Sequence, residues 1–589
     1  MMMKVLRYVL GMSLFFYTGI CYAANPDELK TDTTLTKAGF FNVRDYGALG
    51  NGTTNDGPAI QRAIDSAAAK GGGVVIFPSG RYCLAASLIP KSNITMKGNG
   101  LGAVIMATTS FGSAIGQPKA NLSNFMVSDL TFEGGVIDEG VFPRRARNYT
   151  PSFSSAIAMT GDRKPGGSFP RIQNIIVKNC NILKTRQLPV IFHGVSNGVM
   201  VTGCYFENCL DPGFTWCESV QFIGNNTKKG ADNGVSVSRQ CEKVVIANNI
   251  FDDVAYWGIW CSGFVDTPSN TAEPGPDTFS ITGNVIRRSG FGGIALLNGP
   301  RFGTVSGNTI DTVFNGPTDA RNKSQGRGIV VSSFSANGAV IQEARDIVIS
   351  NNLLRDVARG GISLTGASDI LITGNSFINI GATDTTVTKT DFNSGVYTYT
   401  TGVPGEEIKR IGIVGNSFVD TRAIPLSNYA YPPAVRISKD SYQKNNTMIG
   451  YRQPLAEKLV VGGNGDPDQS VTINAKSGTL RELLFQTAGL RRWDIRVNNV
   501  AEAGAQAGSD FLIIRRNDDG TVAGNPITIT RSDGAMKLAE PTGKLGFFGQ
   551  TPIVKYNAIP NTTGATLSAL EEELNKLKAL VRAYGLMTP

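Results

Sequence analysis

The sequence predicts an all-β protein: a right-handed parallel β-helix solenoid with an N-terminal capping helix, a C-terminal β-sandwich-like domain and a short C-terminal coiled-coil helix. Three observations carry this prediction. A dozen-residue pattern returns along the chain, as "VVIANNIFDDVA" (244–255), "FSITGNVIRRSG" (279–290), "GTVSGNTIDTVF" (303–314), "ILITGNSFINIG" (370–381) and "IGIVGNSFVDTR" (411–422). Its register marks fall at Cys180, Cys204, Asn225, Asn249, Asn284, Asn308, Asn352, Asn375 and Asn416. The spacing is a base period of 21–24 residues with occasional insertions, which is how stacked repeats read. After the marks, Gly or Pro introduces a second alternating run: "GVSVS" at 234–238, "GIWCS" at 258–262, "GIALL" at 293–297 and "GISLT" at 361–365.

Taken in chain order, residues 1–23 resemble an export signal, with Lys4 and Arg7 before an apolar stretch and Ala23 before the cut. That stretch is too short to span a bilayer comfortably, and no later segment approaches transmembrane length. A linker (24–40) leads to "FNVRDYGALGNGTTNDGPAIQRAIDSAAAKGGGVVIFPSGRY" at 41–82. It reads as a strand, a Gly-rich turn, a helix from about Asp56 to Lys70 and a further strand. The helix would cover the unpaired edges of the first rung.

In the repeats, alternation places Val235, Ile259, Ile294 and Ile362 on one inward face with Val237, Cys261, Leu296 and Leu364, and turns Ser236, Trp260, Ala295 and Ser363 outward. Short strands stacked about 4.8 Å apart make the rod. The recurrent Asn then has a cause: at an inward turn its amide bonds the same amide one rung away. Residues 455–557 read as six or seven short strands, a sandwich or jelly-roll candidate. In 560–589, Leu567, Leu570, Leu574, Leu577, Val581 and Tyr584 follow 3-4 spacing, a bundle seam of fewer than three heptads that is marginal alone.

The stretch 41–82 is similar to the N-terminal motif of the pectate-lyase-like, rhamnogalacturonase/epimerase-type β-helix superfamily, and the resemblance covers about 41–450. The stretch 461–555 is similar to the ends of phage tailspike and tail-fibre proteins. These resemblances imply a polysaccharide partner and a homotrimer joined through the β-helix, the C-terminal domain and the terminal helix.

Composition narrows the function. The formal charge of +9 over 589 residues suits an acidic polysaccharide, but no dense Lys/Arg block marks a nucleic-acid surface. Seven Cys remain beyond residue 23, an odd number crowded into one region; they read as small buried hydrophobes rather than a disulfide framework.

Residues at one offset from the mark form a column. At offset three, Glu207, Lys228, Asp252, Arg287, Asp311 and Arg355 alternate in sign, as an ion-pair ladder would. At offset seven, Asp211 and Asp232 occupy adjacent rungs with no opposite charge between them. Two such carboxylates have their pKa values pushed apart, giving an acid beside a base or nucleophile at a spacing suited to a retaining glycosidase. The alternative is that both simply make turns before Pro212 and Asn233. Insertions at about 315–327, 381–394 and 265–277 would overhang one side and form a groove. There Tyr256, Trp260, Tyr397 and Tyr399 are candidates to contact sugar rings, or to pack in a trimer, with Lys229 as a further substrate contact.

"DPGF" at 211–214 resembles the D-P-H-E motif of mannuronan C5-epimerases and alginate lyases. Gly213 stands where that motif has His, so its proton-transfer role does not carry over. His193, the only His, shares a column with Cys217, which leaves a Cys–His pair open. One His and scattered Cys argue against a zinc site, and we expect no resident metal or cofactor. Lyases of the superfamily imply Ca²⁺ with an Arg or Lys base; that would make Asp211 and Asp232 calcium ligands and Arg239 or Lys229 the base.

The expected function is an exported or cell-surface enzyme that degrades an acidic or capsular polysaccharide, as glycoside hydrolase or polysaccharide lyase, with Asp211, Asp232 and Arg239 catalytic. The rivals are a non-catalytic carbohydrate-binding spike, including a phage virion protein, and a uronate C5-epimerase.

Overall fold

The computed structural model describes residues 39–421 other than 138–147, 150, 267–270, 315–325, 337–338, 382–393, 400–402 and 405. It also describes 428–431, 442–444, 446–449, 473, 476–538 other than 488, 544–545, 553–554, 563–584 and 586–587. The segment expected to be an export signal, and most of the insertions at 315–327 and 381–394, lie outside the described residues. The chain divides into two compact units, 1–456 and 457–589.

In the first unit, three parallel sheets wind around one core. Among the described residues two have fourteen strands, running from Phe40–Asn42 to Tyr442–Lys444 and from Asn51–Asn55 to Thr447–Ile449. The third has eleven, from Phe111–Ile115 to Asn428–Tyr431. This is the predicted β-helix. Helix α1 (Gly57–Ala69) follows Asp56, whose carboxylate accepts the Leu49 and Gly50 N–H groups at 2.6 and 3.2 Å and so fixes the Gly-rich turn before it. The helix buries Ala59, Ile60, Ala63, Ile64 and Ala67 and packs on the strands Phe40–Asn42 and Gly73–Ile76, the first rungs of their sheet.

The expected columns form. Val235, Ile259, Ile294, Ile329, Ile362 and Val396 lie in register on successive rungs and are buried. The Asn ladder runs from Asn225 to Asn446, one rung beyond the last mark read from the sequence. Each Nδ2 donates to the next Oδ1 at 2.9–3.1 Å. Each of the same Oδ1 atoms also accepts the preceding Asn backbone N–H. Cys204 continues the column, donating its N–H to Asn225 Oδ1 at 2.9 Å. All seven described cysteines are free and buried, as their reading as small hydrophobes requires.

The charged column is in register from Glu207 to Arg355. It closes as pairs rather than as a continuous ladder: Arg287 meets Asp252 at 3.0 Å and Arg355 meets Asp311 at 2.6 Å, while Glu207 is reached by Lys229, the neighbour of Lys228, at 3.8 Å.

In the second unit the described residues form seven strands, within the six or seven expected: a five-stranded antiparallel meander (Arg481–Thr487, Leu490–Val497, Phe511–Arg516, Val522–Ile529, Met536–Leu538) and a two-stranded pair. Cross-strand pairing gathers Leu483, Ile495, Ile513, Ile527 and Leu538 with Phe485 and Trp493 on one face. Leu483, Phe485, Trp493 and Leu538 on that face remain 43–49% exposed. Among the described residues the other strands of this unit are the pair Lys544–Leu545 and Ile553–Val554. Helix α2 (Leu567–Ala583) starts at Thr566, whose hydroxyl accepts the Ala569 N–H, and its Leu567, Leu570, Leu574 and Leu577 are 45–77% exposed.

Candidate functional site

The outer face of the third sheet carries the candidate chemistry. At the corner before its strands, Asp211 is 4% exposed and accepts a short hydrogen bond from the Ser236 hydroxyl. Asn233 donates to Ser236 Oγ at 3.2 Å and to Asp232 Oδ1 at 3.1 Å. The orientation of that amide is set from the next rung, because Trp257 N–H donates to Asn233 Oδ1 at 3.1 Å. The two carboxylates are therefore linked in a chain, Asp211–Ser236–Asn233–Asp232, rather than stacked directly. Burial pushes the Asp211 carboxyl up to about 6, against the opposing pull of its hydrogen bonds from Ser236 and Asn233. Asp232 is half-buried and is the more open of the two.

This arrangement does not suit a calcium ion between the carboxylates. Asn233 turns N–H bonds toward Asp232, its carbonyl oxygen being held by Trp257. Among the described residues no three His, Cys, Asp or Glu side chains gather as a metal-ligand group.

Arg239 does not join the pair. It follows the strand Val235–Ser238, whereas Asp232 precedes it, and four residues of strand separate the two corners by roughly 13 Å. The antiparallel pair Phe264–Asp266 and Thr271–Glu273 brings Glu273 to Arg239 at 3.2 Å and lays the Phe264 ring 4.2 Å from its guanidinium. The role of base beside the carboxylates is thereby withdrawn from Arg239. Lys229 lies at the turn after Asn226–Lys228 and faces Glu207.

Tyr256 and Phe291, on adjacent rungs, pack ring on ring at 4.6 Å. Trp260 is half-buried with its ring 6.2 Å from Trp257. The two indoles, with Leu297, Asn298, Arg327 and Glu406, line a cleft of about 410 Å³ on the outer face. A volume of that order is ordinary for a small-molecule or sugar-unit site. Tyr397 lies on the outward column but is 3% exposed, with the Arg327 guanidinium 5.5 Å from its ring. It is not the open stacking surface expected of it. Ala295 and Ser363, also on this face, are fully buried, so the face is covered over its later rungs. Tyr399 pairs with Thr365 through its backbone, and its side chain lies outside the described residues.

The Cys–His pair does not form. Cys217 is in the core, its thiol on the Phe192 carbonyl at 3.2 Å, while the His193 ring meets Trp216 edge-on at 6.0 Å. Sequence reasoning missed Asn233, Ser236, Trp257 and Arg327. The nearest signal for the first two was their place beside Asp232 in "ADNGVSVS"; nothing local marked Arg327, which reaches the cleft only through the stacking of rungs.

Comparison with known proteins agrees with this architecture. Residues 40–259 match the family model described as rhamnogalacturonase A/epimerase, pectate lyase-like, so the chain carries a pectate-lyase-like domain. Residues 266–420 match the model described as periplasmic copper-binding protein (NosD). The chain is 37% identical over 123 residues to mannuronan C5-epimerase AlgE3 of Azotobacter vinelandii, covering 18% of this chain and 6% of that protein. It is 37% identical over 110 residues to alginate lyase 7 of the same organism, covering 16% and 12%. It is 23% identical over 371 residues to plasmin and fibronectin-binding protein A of Streptococcus pneumoniae, covering 57% and 50%. The chain thus spans a small part of the first two relatives and half of the third.

Proposed function

We propose that this chain is an exported enzyme that degrades an acidic polysaccharide on the outer face of its third sheet, by hydrolysis or β-elimination. The observation that carries the reading is the linked pair itself: a buried carboxyl raised to about 6, joined through Ser236 and Asn233 to a more open carboxylate. A carboxyl so tuned is still partly protonated near neutral pH and serves as a general acid. Because Asp211 is buried, its proton passes through Ser236. When Asp211 is protonated the bond between them reverses, and the Ser236 hydroxyl turns its own proton toward the leaving oxygen. Asp232 is then the base or nucleophile. The cleft one rung further on offers the half-buried Trp260 ring to a neighbouring sugar, with the buried Trp257 packed behind it. Likeness to a mannuronan epimerase and an alginate lyase supports a uronate polymer as substrate.

The exposed leucines of α2 and the apolar face of the five-stranded sheet support self-association, which we assign as a homotrimer.

Two other readings each have an observation in their favour. The burial of Asp211 and the likeness to a plasmin- and fibronectin-binding protein favour a binding protein without turnover. The likeness to AlgE3 favours an epimerase, although Gly213 stands where the D-P-H-E motif has His.

The test is purified protein on a panel of acidic polysaccharides, followed by reducing ends and by ultraviolet absorbance of unsaturated uronates. Both signals rising identifies a lyase, and reducing ends alone a hydrolase. Solvent-hydrogen exchange at the sugar without chain shortening identifies an epimerase. Binding with none of these signals identifies the non-catalytic protein.

A further inference from the structure

The opposite end of the same rungs carries a second cluster that the cleavage chemistry does not use. The strands Val190–His193, Gly213–Thr215 and Val235–Ser238 deliver His193, Trp216 and Arg239 to adjacent positions, and the loop 161–171 lays Lys164 beside them. Trp216 has φ 54°, in the column where Gly194 has φ 65°. Arg239, next in that column, has φ 52°, so the left-handed corner repeats from rung to rung and presents these side chains at the same place. The Lys164 ammonium lies 6.0 Å from the Trp216 ring and 5.2 Å from that of Phe169, and the Arg239 guanidinium lies 5.0 Å from the Trp216 ring.

Four cations, Arg163, Lys164, Arg239 and Lys243, share this corner with four carboxylates, Glu218, Glu242, Glu273 and Asp162, of which Asp162 accepts the Ser196 hydroxyl at 3.5 Å. Arg163 binds Glu218 and Glu242, Lys243 binds Glu218, and Arg239 binds Glu273, which also accepts the Trp216 indole N–H at 3.0 Å. Among the described residues Lys164 has no carboxylate within 4.0 Å, only ring faces. The His193 imidazole has no hydrogen-bond partner among the described residues. Burial, with Lys164 and Arg239 nearby, holds His193 down to about 4, so at neutral pH it is an uncharged donor and acceptor. An ammonium held only against ring faces beside a neutral imidazole suits a monoanion, and Phe264, 48% exposed next to Arg239, offers a face to the C–H bonds of a sugar ring.

We infer that Lys164, His193, Trp216 and Arg239 form a subsite for the carboxylate of an acidic sugar residue, at the far end of the rungs that hold Asp211 and Asp232. The inference deepens the proposed function and rests on its assignment of a polysaccharide partner.

Calorimetry on the full chain tests it, with short oligogalacturonate, oligomannuronate and their carboxyl-reduced, neutral forms as probes. The acidic probes should bind and the reduced ones should bind about tenfold more weakly, the order expected for one charge-assisted contact. Lys164→Gln should abolish that discrimination and Lys164→Arg should retain it. Because His193 is the only His in the chain, its ring resonances report the site alone, and bound carboxylate should raise its pKa from about 4. Equal binding of acidic and reduced probes, discrimination unchanged in Lys164→Gln, or no binding of either acidic probe overturns the subsite. Turnover that persists while Lys164→Gln leaves discrimination intact removes the subsite and leaves the enzyme reading standing. Lys164-dependent discrimination without turnover on any polymer does the reverse.

Discussion

At Asp211 the fold and the proposed chemistry pull against each other. A carboxyl raised from 3.8 to about 6 binds its proton more tightly in the folded than in the unfolded state. It therefore favours the folded state below about pH 4, and that contribution is lost as pH rises from about 4 to about 6. Ionised Asp211 then costs on the order of 3 kcal/mol at neutral pH. Asp211→Asn should consequently gain stability relative to the parent as pH rises from 4 to 7 in denaturant titrations, while losing turnover. A variant that loses stability equally at both pH values would mean the carboxyl is a structural turn residue. That Asp211 and Asp232 fall at one corner of successive rungs was legible in the repeat, but not that the pairing steps by 21 residues before the corner (Tyr205 with Asn226) and 23 after it (Gly213 with Ser236). Nor was the intervening Asn233, because which side chain lies between two rungs depends on a hydrogen bond from Trp257 on a third. Arg239 misled for a related reason: its column could be counted, but the hairpin that supplies Glu273 and Phe264 comes from a later insertion.

Among the elements, the Asn ladder and α2 make opposite demands. Asn308 gives Nδ2 to Asn352 and takes N–H bonds from Asn284, all buried. Asn308→Ala orphans these groups at about 1–3 kcal/mol each, so the denaturation midpoint should fall while polysaccharide binding by the surviving fold is unchanged. An unshifted midpoint would mean that water replaces the amide. The ladder was readable because an inward amide has few other uses at a strict period. Its last member, Asn446, escaped because the run before it, "SYQK" at 441–444, lacks the alternating apolar residues of the other rungs, Gln443 standing where the previous rung has Ile413. The exposed leucines of α2 call for partners. If the proposed trimer is joined through them, Leu570→Glu with Leu574→Glu should shift the sedimentation coefficient from trimer toward monomer and leave the β-helix unit folded. A trimer that survives both changes would place the contacts elsewhere. The strands of this region were legible because turn residues separate them, whereas which strands share a sheet depends on pairings the local sequence does not mark.

Over the whole molecule, a repeat that specifies a rod also specifies a wall. The rungs of its third sheet hold the Asp211 and Asp232 corner at one end and the His193, Trp216 and Arg239 corner at the other. With a formal charge of +9, binding to an acidic polymer should weaken steeply with added salt. The central claim, cleavage at the Asp211–Asp232 corner, is tested most directly by measuring reducing-end release from an acidic polysaccharide by the parent, Asp211→Asn and Asp232→Asn, with binding followed in parallel. The account predicts release by the parent, at least a hundredfold less from either variant if each supplies general acid or base catalysis, and binding retained by all three. Equal release by all three, or binding without release by the parent on any such polymer, would contradict it.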